Sequence, residues 1–471
     1  MHYHLIGICG TAMAALAGML QARGHRVTGS DERVYPPMST MLASLGIPVN
    51  QGYKPEHLET PDCVIVGNAI PRGNPELEAA LNRKLLYRSQ AEVVKEEFIR
   101  GRRSLVVAGT HGKTTTTSIA SWVMDQGALN PTFLIGGVAQ NFGVSFRVTD
   151  SDFFIIEGDE YDTAYFDKGP KFMHYLPEIG IVNNIEFDHA DIYRDLDAVK
   201  LAFRRFMNLI PANGRLIAGW DSVNVRDVVN AMGSKMFTQV ETFGMAEDAR
   251  WRIAAPDFSR ELTSFTVTRD GSEWGRFETP LMGQFNLLNC LAVIIAADGW
   301  GIERDVIGQA LRTFKNVRRR CEVKGEERGI TVIDDFAHHP TAVRETLRGL
   351  QDRYRGRRLV AVFEPRSWSS RLAVFQDDYA DAFTAADYVV IASVFDSQKA
   401  LEKGKTLDTR KLIDDIASQG KPAFAFPDAS AIIDHLTPKL QKGDVVAIMS
   451  NGGFDQIHDK LLSRIAESSR Q

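Results

Sequence analysis

Short apolar runs alternate with helical periodicity in the first part of the chain. The apolar runs are residues 4–9, residues 26–29 and Cys63–Val66, and a helix rich in small residues is predicted over residues 11–23. This alternation is typical of parallel strands that are joined by crossover helices. It predicts an open α/β sheet within residues 1–103.

A second domain is predicted to begin after the charged segment 98–103. Its predicted strands are residues 104–108, 152–157 and 179–183. Asp270 and Gly271 lie between two alternating segments and predict a hairpin, which adds a smaller β region to the domain. The second domain is therefore predicted to span residues 104–316.

The α/β alternation resumes after the basic cluster 318–320. The predicted strands of this third region are residues 331–333, Leu359–Phe363, Tyr388–Ala392 and Val445–Met449. The predicted fold class is α/β with three domains. Open α/β sheets lie at the two ends, residues 1–103 and 317–471, and a mostly parallel sheet with the smaller β region lies between them.

Composition narrows the functional classes. Of the 471 residues, 44% are hydrophobic and 24% are charged, which is typical of a globular protein and not of a disordered one. The net charge of -5 argues against general nucleic-acid binding. The four cysteines form no CxxC pair, which argues against a disulfide framework or a zinc site. Neither a signal peptide nor a membrane-spanning run is evident, so we expect a cytoplasmic protein without a membrane partner.

A glycine-containing loop with phosphate-binding chemistry follows the strand at 104–108. The loop consists of Gly109, Thr110, His111, Gly112, Lys113, Thr114 and Thr115. Backbone N–H groups of such a loop, with a helix N-terminus behind them, form a concave anion site. Lys113 is then expected to reach the β and γ phosphates of ATP, and Thr114 to bind Mg²⁺. The loop is a variant, because Val107 stands where a strict Walker A motif has glycine, and an ordinary turn with an exposed lysine is the alternative.

Acidic segments follow two further strands. Glu157 ends the predicted strand at 152–157, and His189 lies in the acidic segment after the strand at 179–183. A carboxylate at the carboxyl end of a parallel strand beside a phosphate loop is well placed to bind Mg²⁺. Alone, either feature is more typical of a solvated loop or a capping histidine. Three such elements in order favour a nucleotide and metal site.

The N-terminal strand leads into a turn that contains Gly7, Gly10 and Thr11, and Ser30 and Asp31 end the next strand. Glycines let the backbone approach a phosphate, and an acidic residue about 20 residues later can hold a ribose hydroxyl. Because the glycines do not have the GxGxxG spacing, the pattern indicates only half of a dinucleotide site. It leaves a nicotinamide dehydrogenase as a competing class.

Five motifs in order resemble one family over essentially the whole chain. They read GTHGKTTT, IIEGDEYD, NNIEFDHAD, GQFNLLN and VRRRCE. In this order they resemble the Mur ligases of bacterial cell-wall synthesis. The resemblance implies a Rossmann-like N-terminal domain that binds UDP and a central P-loop ATPase domain. It also implies a Rossmann-like C-terminal domain that closes over the nucleotide and brings the amine substrate.

The resemblance also implies roles for individual residues. The residues that match UDP-sugar motifs are Gly7, Gly10, Thr11, Ser30, Asp31 and Asn68. Beyond the phosphate loop, the residues that match ATP contacts are Asn286, Asn289, Arg320 and Asp335. Glu157 and His189 match the magnesium ligands that accompany Thr114. Lys113, His189 and Arg320 are the residues expected to act in catalysis.

Segments near both ends indicate which amine is used. Within the family, residues 35–40, 364–367 and 450–454 most resemble members that join UDP-N-acetylmuramate to the recycled tripeptide L-alanyl-γ-D-glutamyl-meso-diaminopimelate. The residues therefore expected to contact the amine substrate are Arg366, Ser367 and Asn451. Addition of L-alanine alone is the nearest alternative, and a non-catalytic UDP-sugar sensor is a more distant one.

Three positions depart from the family pattern. Phe285 stands where related sequences commonly have histidine, and Arg204 and Arg205 occupy the region in which some members carry a carbamylated lysine. Residues 394–399 lack the DNPR motif of members that add diaminopimelate singly. Because arginines occupy positions 204 and 205, a carbamylated lysine is not expected here.

The implied reaction runs through an acyl phosphate, because a carboxylate is a poor electrophile. The lactyl carboxylate attacks the γ-phosphate of ATP, and the neutral amine then displaces phosphate. His338 and His339 are candidates to accept the amine proton, since histidine titrates near neutrality. The alternative is that these two histidines, which precede a proline, support other site residues or cap a helix. The sequence leaves the oligomeric state open.

Overall fold

The N-terminal region folds as a five-stranded sheet in a computed structural model that describes residues 1–190, 192–394 and 406–467. Its elements are β1 (His2–Ile6), α1 (Thr11–Ala22), β2 (Arg26–Asp31), α2 (Met38–Ser44), β3 (Val49–Gln51), β4 (Cys63–Val66), α3 (Pro75–Asn82), β5 (Tyr87–Ser89) and α4 (Gln90–Val94). The strand order is β3-β2-β1-β4-β5 and every pairing is parallel. The carboxyl ends of all five strands therefore lie at one edge.

The central region builds a ten-stranded sheet. Its elements are β6 (Arg103–Ala108), α5 (Lys113–Gln126), β7 (Thr132–Ala139), β8 (Val144–Arg147), β9 (Phe153–Gly158), β10 (Asp162–Ala164), β11 (Asp167–Pro170), β12 (Ile179–Val182), α6 (Leu196–Met207), β13 (Arg215–Gly219), α7 (Val223–Met232), β14 (Gln239–Gly244), β15 (Trp251–Asp257), β16 (Thr263–Arg269), β17 (Ser272–Thr279), α8 (Gln284–Gly299) and α9 (Arg304–Arg312). The strand order is β17-β16-β15-β14-β13-β12-β6-β9-β7-β8, while β10 and β11 form a separate hairpin. Strands β15 to β7 in this order run parallel, and the pairings of β7 with β8, β15 with β16 and β16 with β17 are antiparallel.

The C-terminal region forms a six-stranded sheet in the order β18-β19-β23-β20-β21-β22. Its elements are β18 (Glu322–Glu327), β19 (Ile330–Asp335), α10 (Pro340–Arg353), β20 (Leu359–Phe363), α11 (Gln376–Ala382), β21 (Tyr388–Ala392), α12 (Thr409–Ser418), β22 (Ala423–Phe426), α13 (Ala429–Leu436), β23 (Val445–Met449) and α14 (Ile457–Glu467). All pairings are parallel except that of the edge strand β18 with β19. Apolar clusters cover both faces of this sheet.

The predicted fold class is confirmed. The predicted hairpin is also confirmed, since Asp270 and Gly271 both have positive φ between β16 and β17. The strand predicted at 4–9 is wrong at its carboxyl end, because β1 ends at Ile6 and Gly7 turns the chain with a φ of 83°. The charged segment 98–103 begins inside a π-helix, Lys95–Ile99, in which Phe98 and Ile99 are buried. The boundaries predicted at residues 103 and 316 lie close to where one large sheet ends along the chain and the next begins. They stay predictions as domain boundaries.

The N-terminal and central regions share one apolar cluster, in which the ring of Phe146 on β8 packs against α1 beside Gly18. Phe187 and Met282 of the central region pack against the apolar core of the C-terminal region. Within the described ranges, no helix is long and apolar enough to cross a membrane. These contacts bring the strand ends of the three sheets to a common space.

Candidate active site

A large cavity of about 1580 Å³ lies where the three regions meet. Its lining includes Gly7 and Asn68 from the N-terminal sheet, Lys113 and Glu157 from the central sheet, and Asp335 from the C-terminal sheet. Each of these residues ends a parallel strand or closely follows one, which is where open α/β sheets bind ligands. A ligand in this cavity can therefore touch all three regions at once.

The phosphate loop has the backbone shape that its glycines permit. Gly109 and Gly112 have φ angles of 137° and 84°, in the left-handed region that other residues rarely adopt. A side chain at Gly112 would also meet the amide oxygen of Asn289 at 2.6 Å. The loop therefore depends on glycine at position 112 for both conformation and space.

Lys113 is held by a buried carboxylate. Its Nζ donates to Glu160 Oε2 at 2.7 Å and to the carbonyl oxygen of Gly109 at 2.7 Å. Burial lowers the pKa of Lys113, but the charges of Glu160 and Asp159 outweigh burial and hold that pKa above its usual value. The lysine is therefore a buried cation fixed beside the loop.

Glu160 also contacts the predicted catalytic histidine. Its Oε1 lies 3.4 Å from Nε2 of His189, and only 3% of the Glu160 side chain is exposed. Burial raises the pKa of Glu160, but the charges of Lys113 and His189 outweigh it, so the carboxylate stays ionised. Glu160 thus joins two predicted catalytic residues, and sequence reasoning did not single it out.

Glu157 and Thr114 form a second cluster at the loop. The Thr114 hydroxyl donates to Glu157 Oε2 at 3.0 Å, and the N–H of Gly136 donates to the other carboxylate oxygen. Burial, and then the charge of Asp159, raise the pKa of Glu157 to about 7. Arg320 reaches the same place, since its Nη2 donates to the Thr114 hydroxyl at 3.4 Å. The structure therefore brings three predicted residues together.

This cluster fits a magnesium ion. Two adjacent ligands of an octahedral Mg²⁺ lie about 2.9 Å apart at bond lengths of about 2.0–2.1 Å. The 3.0 Å between Thr114 Oγ1 and Glu157 Oε2 agrees with that spacing. The oxygen atoms of Thr114 and Glu157 are also the hard ligands that Mg²⁺ prefers.

The two asparagines predicted to contact ATP lie on the first turns of α8. Asn289 Nδ2 donates to Asn286 Oδ1 at 3.2 Å, and Asn286 Nδ2 donates to the carbonyl oxygen of Met282 at 2.8 Å. Both asparagines line the cavity, as does Phe285 beside them. The amides are therefore already oriented by protein contacts.

Asp335 lines the cavity, but both of its carboxylate oxygens accept hydrogen bonds from the protein. The N–H groups of Cys321 and Ala337 donate to it at 2.7 and 2.8 Å, and the Thr346 hydroxyl donates at 3.2 Å. Asp335 therefore fixes the segment next to Arg320.

The predicted UDP-sugar residues gather at one end of the cavity, with one exception. The residues of this set that line it are Gly7, Gly10, Thr11, Asp31 and Asn68. Ser30 does not line the cavity in the described structure, because its buried hydroxyl donates to Glu76. Asp31 accepts the N–H of Cys9 at 2.9 Å and so closes the glycine turn.

The predicted amine contacts are not brought to the cavity. None of Arg366, Ser367 and Asn451 occurs among the described residues that line it. Arg366 Nη1 instead lies 3.4 Å from Glu364 Oε1, and the Ser367 hydroxyl accepts the N–H of Ser370 at 3.0 Å. Contact between these residues and a substrate stays a prediction.

The two candidate bases both line the cavity and differ in their contacts. His338 lines the cavity, and burial lowers its pKa, so its ring is neutral near pH 7. His339 accepts the N–H of Thr341 at 3.3 Å as the N-cap of α10. The capping alternative therefore holds for His339, and His338 is the better candidate for a base.

Arg204 and Arg205 are exposed on α6. Residues 395–399 of the segment that lacks the DNPR motif lie outside the described residues. Asp191 of the third motif also lies outside them. Glu160 and Gly136 were not singled out from the sequence. Their contacts with Lys113, His189 and Glu157 join separate parts of the chain.

Comparison with known proteins identifies the family. Family models match residues 2–101 (Mur ligase family, catalytic domain), residues 107–297 (Mur ligase middle domain) and residues 319–452 (Mur ligase, glutamate ligase domain). The UDP-N-acetylmuramate--L-alanyl-gamma-D-glutamyl-meso-2,6-diaminoheptandioate ligase of Escherichia coli (strain K12) is 41% identical over 471 residues, 100% of this chain and 99% of that protein.

Two further relatives cover nearly the whole chain. A UDP-N-acetylmuramate--L-alanine ligase of Syntrophotalea carbinolica is 34% identical over 97% of this chain and 96% of that protein. A crystal structure of a murein peptide ligase from Psychrobacter arcticus 273-4 has a TM-score of 0.73 and 34% identity, with 99% of both chains covered. The chain therefore belongs to the Mur ligase family, whose members are ATP-dependent ligases that form amide bonds.

Proposed function

We propose that the chain joins the lactyl carboxylate of UDP-N-acetylmuramate to the amine of L-alanyl-γ-D-glutamyl-meso-diaminopimelate, with ATP converted to ADP and phosphate. The observation that carries the proposal is the cavity that all three sheets line, since the reaction has three substrates. A full-length relative at 41% identity bears the name of this ligase, which supports the choice of substrates. The product would serve recycling of cell-wall peptide, and ATP as a substrate suits a cytoplasmic reaction.

In the first step, a lactyl carboxylate oxygen attacks the γ-phosphorus of ATP and the bond to the ADP oxygen breaks. The product is an acyl phosphate, and negative charge gathers around the transferred group. Lys113 and Arg320 are the two cations closest to the loop and the Thr114 hydroxyl, and they offset that charge. We assign both residues to this step.

Thr114 and Glu157 would hold Mg²⁺. The ion, when bound, neutralises charge on the phosphates during transfer. His189 is proposed as a further ligand, although its Nε2 here faces Glu160. The loop residues Thr110, His111 and Thr115 would surround the phosphates, and their main-chain N–H groups would provide the contacts.

In the second step, the neutral amine attacks the acyl carbonyl, the C–O bond to phosphate breaks, and the amide forms. The amine proton must leave, and the neutral ring of His338 in the cavity is our candidate to accept it. Water would hydrolyse the acyl phosphate, so the C-terminal region must cover the site while the intermediate exists.

Addition of L-alanine alone is the second candidate. It is favoured by a relative of that name at 34% identity over 97% of this chain. The same cavity, loop and metal cluster would serve it, because the two reactions differ only in the amine. No observation here supports the dehydrogenase or the UDP-sugar sensor.

Isotope transfer tests the proposed chemistry. UDP-N-acetylmuramate labelled with ¹⁸O in its lactyl carboxylate is incubated with ATP, Mg²⁺ and tripeptide, and product and phosphate are weighed by mass spectrometry. We expect one ¹⁸O in the released phosphate for each amide formed. Amide formation without label in phosphate would exclude the acyl phosphate, and phosphate release without a new amide would exclude the ligase.

A further inference from the structure

A compact group of two histidines and a glutamate lies between the phosphate loop and the C-terminal region. His111 belongs to the loop, Glu186 follows β12, and His339 caps α10. The Glu186 Oε2 atom lies 3.3 Å from His111 Nε2 and 3.8 Å from His339 Nδ1. One ligand atom from each of the three residues lies within 4.8 Å of the other two. In this structure the Nδ1 atom of His339 also accepts the N–H of Thr341 at 3.3 Å, and a metal ion on Nδ1 would replace that cap.

The spacing suits a small tetrahedral ion. A tetrahedral ion with nitrogen and oxygen ligands at about 2.0–2.1 Å holds the ligand atoms about 3.3–3.4 Å apart. The His111–Glu186 distance of 3.3 Å already has this value, and the His339–Glu186 distance of 3.8 Å needs a shift of a few tenths of an ångström. The two imidazole rings are also close, with centroids 4.6 Å apart.

Neighbouring groups orient Glu186 and fix the main chain at His111. The Thr341 hydroxyl donates to Glu186 Oε2 at 2.6 Å, which holds the carboxylate toward the histidines. The Asn184 side chain accepts the main-chain N–H of His111 at 2.8 Å, and the Thr110 hydroxyl accepts the main-chain N–H of Glu186 at 2.9 Å. Such outer contacts are typical of built metal sites.

The protonation states of His339 and Glu186 also suit metal binding. Burial, and then the charge of His111, lower the pKa of His339 to about 4, so its ring is neutral near pH 7. Burial opposes ionisation of Glu186, but its hydrogen bond to His111 and the charge of His111 hold its pKa at about 2. Metals bind neutral imidazole and ionised carboxylate.

We propose that His111, Glu186 and His339 form a binding site for a transition-metal dication such as Zn²⁺ or Co²⁺. Two imidazoles favour these ions over Mg²⁺, which prefers oxygen ligands. The site is separate from Thr114 and Glu157, and it does not depend on which amine the enzyme uses. A bound ion would tie the phosphate loop to the first turn of α10 and so hold the C-terminal region against the central one.

Cobalt titration of the full-length, metal-free protein without ATP tests the site. Tetrahedral Co²⁺ gives visible absorption that octahedral Co²⁺ at an oxygen site gives only weakly. We expect one Co²⁺ with tetrahedral absorption in the parent, and an affinity at least about tenfold lower in His111→Ala and His339→Ala, as for loss of metal-site contacts. His189→Ala is expected to keep the absorption, because His189 lies in the other cluster.

His25→Ala is a matched control, since His25 Nε2 lies 3.3 Å from Glu97 Oε2, as His111 does from Glu186. It is expected to leave the titration unchanged. Because His339 also caps α10, Glu186→Gln provides a variant that keeps the shape of the side chain and removes its charge. Equal Co²⁺ affinity in the parent and in Glu186→Gln, or purely octahedral absorption in the parent, would overturn the proposal.

Discussion

The phosphate loop and the segment around Arg366 both follow parallel strands, yet they are built differently. At the loop, Lys113 and Thr114 meet carboxylates from β9 and the chain after it at 2.7 and 3.0 Å, and all four residues line the cavity. Arg366 contacts Glu364, only two residues away, and does not line the described cavity. One site is assembled across strands inside the cavity. The other lies outside the cavity, where Arg366 also packs against Gly452 after β23.

The difference follows from what each site must bind. A phosphate site uses consecutive main-chain N–H groups, so one contiguous loop carries most of it and its shape is fixed by glycines. An amine site on a separate domain uses long side chains, whose positions depend on how the domains approach. The comparison therefore predicts large effects at the loop and smaller, substrate-dependent effects at Arg366.

Lys113→Ala is expected to have the largest effect. Loss of the cation at the transferred phosphate should reduce phosphate release by at least about 100- to 1000-fold, as for loss of a preorganised donor in other enzymes. Binding of UDP-N-acetylmuramate, measured by calorimetry, should be nearly unchanged, because its predicted residues lie in the N-terminal sheet.

Lys168→Ala is the control, since Lys168 forms an exposed ion pair with Asp162 at 2.6 Å. Its phosphate release should match the parent. Loss of sugar-nucleotide binding in a folded Lys113→Ala protein would break the division of the cavity between two domains.

Glu157→Gln is expected to raise the Mg²⁺ concentration for half-maximal activity by about 10- to 100-fold, because a neutral amide binds the ion more weakly. His189→Ala should shift the same curve in the same direction, and by less if Glu160 keeps its position. Activity is titrated against Mg²⁺ at saturating ATP. Unchanged curves in both variants would make these residues ordinary parts of the strand ends.

Arg366→Ala sharpens the comparison at the amine end. A charge-assisted contact with a tripeptide carboxylate is worth about 1.5–3 kcal/mol, so kcat/KM for tripeptide should fall about 10- to 100-fold. Rates with L-alanine should not change. Arg355→Ala removes an exposed arginine that pairs with Asp352 at 3.4 Å and serves as control. Unchanged tripeptide kinetics in Arg366→Ala would leave Arg366 a structural role on the Glu364 side.

The smallest expected effect is at the seam between the first two regions. A methyl group at Gly18 would collide with the ring of Phe146, so Gly18→Ala should destabilise the protein by about 1–3 kcal/mol. The double variant Gly18→Ala, Phe146→Ala should lose less than the sum of the two single variants in thermal unfolding. Additive losses would show that the two residues do not interact.

The sequence predicted buried strands well and their ends poorly. The strands Leu359–Phe363, Tyr388–Ala392 and Val445–Met449 agree with the structure at both ends, because continuous apolar runs bounded by polar residues define them. β1 ends three residues before the predicted end, since Ile8 is buried as part of a turn and not of a strand.

Site residues were predictable where a motif is local. The phosphate loop except Gly109, together with Glu157 and the N-terminal glycines, lines the cavity as the positions after strands suggest. Glu160 was not singled out, because its contacts with Lys113 and His189 join parts of the chain 47 and 29 residues away. The burial of Ser30 under Glu76 could not be predicted either, since it depends on the packing of α3 against β2.

Competition between the two amines tests the central claim most directly. Steady-state phosphate release is measured with UDP-N-acetylmuramate and ATP at saturation, over a range of L-alanyl-γ-D-glutamyl-meso-diaminopimelate or of L-alanine. The account predicts a kcat/KM for the tripeptide that exceeds the value for L-alanine by at least about tenfold, as one added charge-assisted contact would give. An equal or higher kcat/KM for L-alanine would contradict it.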